Sequence, residues 1–176
     1  YFVDNFNKAL IDKLPKNTSI IYRNYQMPIN VSSILKLKNA CKKKNIKFFL
    51  SNNTKLAVKL DLDGAYLPAF SKTKKHKAFN LKKNFQLIGS AHNLREIREK
   101  ESQNVSYIFL SPIFLTKKRK SFLGIYKFMN LMKLTDKKIA CLGGININNI
   151  KKIKMLNLDT IAGIRLFDDE NFLKMI

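Results

Sequence analysis

The chain is poor in cysteine, in long apolar runs and in acidic residues, and each shortage excludes something. Its 176 residues hold two cysteines, Cys41 and Cys141. They lie far apart and form no CxxC pair, which argues against a thiolate-held metal and for a reducing, cytoplasmic setting. No stretch reaches the ~20 apolar residues that a membrane helix needs. The first residues, Tyr1-Phe2-Val3-Asp4, lack a basic segment followed by an apolar one, so no signal peptide is expected. Acidic residues number 12 against 34 basic, a formal net charge of +22. A field of that size attracts polyanions. Only Arg23, Arg95, Arg98, Arg119 and Arg165 are arginines, however, and a compositional drift towards Lys, Asn and Ile raises the charge everywhere without any partner. Phe and Tyr mostly fall inside strand and helix patterns instead of interleaving with Lys on one surface, which speaks against nucleic-acid binding.

What is present is an ordinary globular composition, 45% hydrophobic and 26% charged. Short β-rich apolar runs alternate with segments of helical spacing. The runs are Tyr1–Val3, Ser19–Arg23, Ile46–Leu50, Gly64–Leu67, Phe85–Gly89, Val105–Leu110, Lys138–Leu142 and Thr160–Ile164. The helical segments are Phe6–Leu14, Ser32–Lys44, Thr54–Leu60, Leu94–Ser102, Ile125–Leu134, Ile147–Leu156 and Asp168–Ile176. Such alternation predicts an α/β protein with a parallel sheet, and eight strands predict a compact (β/α)8 TIM barrel over residues 1–176, a single domain. After the fourth strand, Lys72-Thr73-Lys74-Lys75-His76-Lys77 reads as a loop or a degraded fourth helix, with His76 in solvent.

A barrel of this kind works at the C-terminal ends of its strands, so the residues that follow each run are the candidates. Arg23 closes an apolar strand, where a guanidinium is costly unless it meets an anion or a carboxylate. Asn52 and Asn53 follow the third strand, Tyr66 ends the fourth, and Ser90 and His92 follow the fifth. An imidazole there can act as acid or base, or cap the next helix. Thr116 leads into Lys117-Lys118-Arg119-Lys120, which either grips a phosphate or is a solvated charge run. Gly143-Gly144 after the seventh strand suits backbone binding of phosphate, or a plain left-handed turn. Arg165 follows the eighth strand.

Five segments in register resemble the thiamine phosphate synthase / TenI family. They are Arg23, the stretch from Ala57 through Asp63-Gly64-Ala65-Tyr66-Leu67, Gly89-Ser90-Ala91-His92, Ser111-Pro112-Ile113-Phe114-Leu115-Thr116, and Gly143-Gly144-Ile145. The resemblance covers nearly the whole chain from about Leu14 and is that of a divergent, short branch. It implies an enzyme that couples hydroxymethylpyrimidine diphosphate with thiazole phosphate, giving thiamine phosphate and diphosphate. It implies small phosphorylated partners and Mg²⁺, and leaves a homo-oligomer open. By the same resemblance Gly143 and Gly144 hold the thiazole phosphate, Thr116, Lys118 and Arg119 touch diphosphate or product phosphate, and Arg23 holds the diphosphate. The two Mg²⁺-binding aspartates of the family fall near Asn52 or Asn53 and near Phe70 or Ser71, none of them acidic. Mg²⁺ wants charged oxygen ligands, so lysines are expected to stand in for part of its charge. The alternatives are a TenI-like tautomerase with His92 as acid/base and no metal, or a silent binder of thiamine phosphates.

Overall fold

The computed structural model describes residues 1–117, 121–163, 166 and 172. Its first half runs β1 (Phe2–Val3), α1 (Lys8–Lys13), β2 (Ser19–Tyr22), α2 (Val31–Lys43), β3 (Lys47–Ser51), α3 (Thr54–Lys59) and β4 (Gly64–Leu67). The second half runs β5 (Gln86–Ala91), α4 (Leu94–Ser102), β6 (Tyr107–Leu110), α5 (Gly124–Met132), β7 (Lys138–Leu142), α6 (Ile150–Lys154) and β8 (Ile161–Ala162). The strands form one sheet in chain order, each parallel to the next. The Phe2 N–H donates to the Gly163 carbonyl at 3.3 Å, which closes the sheet on itself. This is the expected (β/α)8 barrel. The expected last helix, Asp168–Ile176, lies outside the described residues apart from Phe172.

The period of two along each strand separates two cores. Phe2, Ile21, Phe49, Tyr66, Ile88 and Phe109 fill the interior together with Ala140, Leu142 and Ala162 from β7 and β8. The rings of Phe2, Tyr66 and Phe109 meet one another with centroids 5.3–6.1 Å apart. Alternate residues, among them Ile20, Phe48, Leu50, Ile108 and Cys141, face outward under helix residues such as Ile34, Leu37, Ile97 and Phe128. Burial pushes the free thiols of Cys41 and Cys141 up to about 12.

Asparagine starts the helices. Asn7, Asn30, Asn53 and Asn93 each accept a hydrogen bond from the N–H three residues on, which satisfies one donor that the first helical turn leaves open. Between β4 and β5 no α-helix forms, only a 3₁₀ turn at Lys75–Ala78. The degraded fourth helix of the sequence reading is therefore real. Two residues of α4 and its cap hold this segment in place. Lys100, fully buried, donates through Nζ to the carbonyls of Pro68 and Ser71 and to Gln103 Oε1, each at 2.8 Å. Gln103 Nε2 donates to the carbonyls of Ser71 and Thr73 at 2.9 Å. Gly89 makes room for the lysine stem, since a Cβ there would stand 2.8 Å from Lys100 Cδ.

His76 corrects the sequence reading. It is not in solvent but 3% exposed, with Nε2 donating to the Gln103 carbonyl at 2.8 Å. A segment without a helix has backbone groups to satisfy. It meets them by lying flat on the C-terminal end of α4, and that carries His76 inside.

Candidate active site

The C-terminal ends of the strands carry the described polar residues that the sequence singled out. Arg23 extends β2 inward. Its N–H donates to the Val3 carbonyl at 2.7 Å, and its guanidinium lies 4.6 Å from the centre of the Phe2 ring. Among the described residues no ion pair involves Arg23. Its charge acts instead on two phenols, Tyr25 and Tyr66, drawing both down against the effect of burial. Burial wins at each. Tyr66 is pushed up to about 12 although it is hydrogen-bonded to Ser90, and Tyr25 is raised. Both phenols are therefore neutral donors at physiological pH.

Tyr25 belongs to the loop after β2, which an Asx turn shapes. The Asn24 side-chain oxygen accepts from the N–H groups of Gln26 and Met27, and its amide donates to the Asp4 carbonyl at 3.2 Å. The Tyr25 hydroxyl lies 2.6 Å from Ser51 Oγ at the end of β3. Its ring meets Phe70 edge-on, centroids 5.7 Å apart.

His92 stands just before α4. Its N–H donates to Glu96 Oε2 at 2.7 Å, while Asn93 caps the helix, so the histidine is not the cap. Nδ1 is 2.6 Å from the Ser111 carbonyl and 3.2 Å from Ser111 Oγ. A carbonyl can only accept, so Nδ1 carries a proton and Nε2 is left for acid/base work.

Gly143 and Gly144 sit against the loop after β6. The Gly143 carbonyl accepts from Phe114 N–H at 3.1 Å, and Thr116 Cγ2 would lie 3.7 Å from a Cβ at Gly143. Gly144 has φ +73°, and a Cβ there would stand 2.5 Å from the Leu115 carbonyl oxygen. The pair thus permits close packing of two loops. It does not open directly into a helix, because α6 starts only at Ile150. The structure therefore brings Gly143, Gly144 and Thr116 together. Arg23, Tyr66 and Ser90 form a second group, linked through Tyr25 to Ser51 beside Asn52. Lys118, Arg119 and Arg165 lie outside the described residues. Tyr25 and Lys100 were not singled out in the sequence. The signal for Lys100 was there: it falls three residues after buried Ile97, on the apolar stripe of α4.

The residues where the resemblance puts metal-binding aspartates do not fit Mg²⁺. Among the described residues no group of three His, Cys, Asp or Glu side chains is gathered. Asn53 spends its side-chain oxygen on Leu56 N–H. The Ser71 carbonyl faces the Lys100 ammonium, and Tyr25 holds Ser51. Asn52, exposed and left-handed at φ +58°, offers at most a neutral amide. A hard dication prefers charged oxygens, and this corner supplies none.

Fold and mouth together define the class: a (β/α)8-barrel protein with its polar groups gathered where the strands end. Within that class the chain belongs to the thiamine monophosphate synthase family, whose profile matches residues 7–167. It is 32% identical over 158 residues to a thiamine-phosphate synthase of Prochlorococcus marinus, a match that covers 84% of this chain and 44% of that protein. The chain thus spans less than half the length of this curated relative. A thiamine phosphate pyrophosphorylase from Pyrococcus furiosus has the same fold, with a TM-score of 0.76 at 18% identity over 96% of this chain and 85% of that one. The citrate synthase SbnG is more distant, with a TM-score of 0.65 at 10% identity over 99% of this chain and 87% of that one. No described helix is long and apolar enough to cross a membrane.

Proposed function

We propose that this chain is a thiamine-pathway transferase that joins hydroxymethylpyrimidine diphosphate to thiazole phosphate and releases diphosphate. The observation that carries this reading is the family match across residues 7–167, supported by the link of Arg23, Tyr66 and Ser90 and by the position of His92 just before α4. In the reaction the C–O bond to the diphosphate breaks and its electron pair leaves with the diphosphate. The thiazole nitrogen then supplies the pair for the new C–N bond. Arg23 takes the departing negative charge, and among the described residues no ion pair engages it. The neutral Tyr66 phenol and Ser90 hydroxyl hydrogen-bond the pyrimidine, and His92 Nε2 faces its amino edge. Gly143, Gly144 and Thr116 take the thiazole phosphate. In this reading Lys118 and Arg119 touch diphosphate or product phosphate, and Arg165 contributes to phosphate binding. The two buried, unpaired thiols support a reducing, cytoplasmic setting.

The test is a paired assay on the purified protein. One arm follows diphosphate release from the two substrates. The other follows tautomerisation of thiazole carboxylate phosphate, with His92→Ala as control. Diphosphate release that falls about 100-fold or more in Arg23→Ala is the expected result. Turnover in the second arm alone identifies a tautomerase, and silence in both overturns the transferase and leaves the silent binder of thiamine phosphates.

A further inference from the structure

Tyr25 spans the corner in which a metal would have to sit. Its hydroxyl is bonded to Ser51, the neighbour of Asn52, and its ring packs on Phe70, the neighbour of Ser71. One side chain therefore joins the two places where the resemblance requires carboxylates. The charge of the corner is also of the wrong sign for a cation. The Lys100 ammonium lies 2.8 Å from the Ser71 carbonyl, and the positive charge of Arg23 acts on Tyr25. What the corner does offer is aromatic surface at the strand ends. Tyr25 is 50% and Phe70 65% exposed, and a T-shaped pair leaves ring faces open to a planar ligand.

We propose that this corner is a metal-free subsite for a planar heteroaromatic phosphate ester, with the ring against Tyr25 and Phe70 and the anion neutralised by protein cations. Binding at this mouth is then independent of divalent cations. The inference rests on the function proposed above for the identity of the ring, the pyrimidine or thiazole of thiamine phosphate. The Asn24 turn presets the loop that carries Tyr25. The hydrogen bonds from Lys100 and Gln103 preset the one that carries Phe70. Little ordering is therefore left for the ligand to impose.

The experiment is calorimetric titration with thiamine phosphate, once in EDTA and once in magnesium chloride. The Kd is expected to agree within about twofold, and a loss of about tenfold or more in EDTA would overturn the inference while leaving the family function standing. Tyr25→Ala is expected to weaken binding about tenfold, with Tyr25→Phe, which keeps the ring, recovering most of that loss. Equal affinity for wild type and Tyr25→Ala overturns the aromatic subsite. Titration with Mn²⁺ alone is expected to give no saturable site below ~1 mM. A saturable Mn²⁺ site lost in Asn52→Ala contradicts the inference directly. Thiamine phosphate binding in neither buffer removes the proposed function, and the inference with it.

Discussion

At the scale of single residues, Lys100 shows how a buried charge is made tolerable without a counter-ion. Three acceptors surround its ammonium, and burial still pulls its pKa down from 10.5 to about 8, with Glu99 and Glu96 opposing the shift only in part. The sign of the consequence follows. Between pH ~8 and ~10.5 the unfolded chain keeps this proton and the folded chain sheds it, so this group makes the fold more stable as pH rises. In urea titrations the stability of wild type relative to Lys100→Met is expected to grow from pH 7 to pH 10. A flat difference would show that the amine is solvated. At pH 7 the same variant leaves buried acceptors unpaired, at a cost of about 1–3 kcal/mol. Gly144→Ala combines a left-handed φ with contacts of 2.5 and 2.6 Å to two carbonyl oxygens. It is expected to lose about 1–3 kcal/mol in denaturant melts, with phosphate-ester binding weakened as well.

At the scale of elements, the abundance of asparagine is put to structural use. Besides capping four helices, asparagine takes the left-handed position just after helices at Asn45 and Asn104, a place that glycine fills in many proteins. Asn30→Ala and Asn93→Ala are each expected to cost about 1 kcal/mol, read from chemical denaturation. They are on different helices, so the double variant is expected to lose close to the sum. A clear shortfall would show that one helix start is already frayed. The segment between β4 and β5 follows the opposite rule. It has no helix to cap, and its order comes from α4 through Lys100 and Gln103.

At the scale of the whole molecule, the net charge is +22, and most of the described lysines are exposed on the outside of the barrel. The ion pairs among the described residues, Lys38 and Lys82 with Asp61, Lys74 with Glu99, and Arg98 with Glu101, engage few of the lysines. Repulsion therefore outweighs attraction, and screening relieves it. Raising sodium chloride from about 10 mM to about 300 mM is expected to raise the melting temperature by several degrees. A fall would mean that surface ion pairs dominate after all. The cations that matter for a ligand are those that no carboxylate neutralises, and among the described residues Arg23 takes part in no ion pair.

The sequence by itself determined the alternation of strands and helices, the missing fourth helix and the family. These rest on local periodicity, spacing and turn chemistry, which a chain carries without reference to distant parts of itself. Tertiary structure decided the rest. Tyr25 meets Ser51 across 26 residues, and Lys100 meets Pro68 across 32. The free nitrogen of His92 depends on the Ser111 carbonyl on the next strand. The burial of His76 depends on α4 lying beneath it. Strand register and barrel closure create these contacts. They determine which charges are paired and which aromatic faces stay open, and so whether a cation or a planar ring fits the corner between β3 and β4.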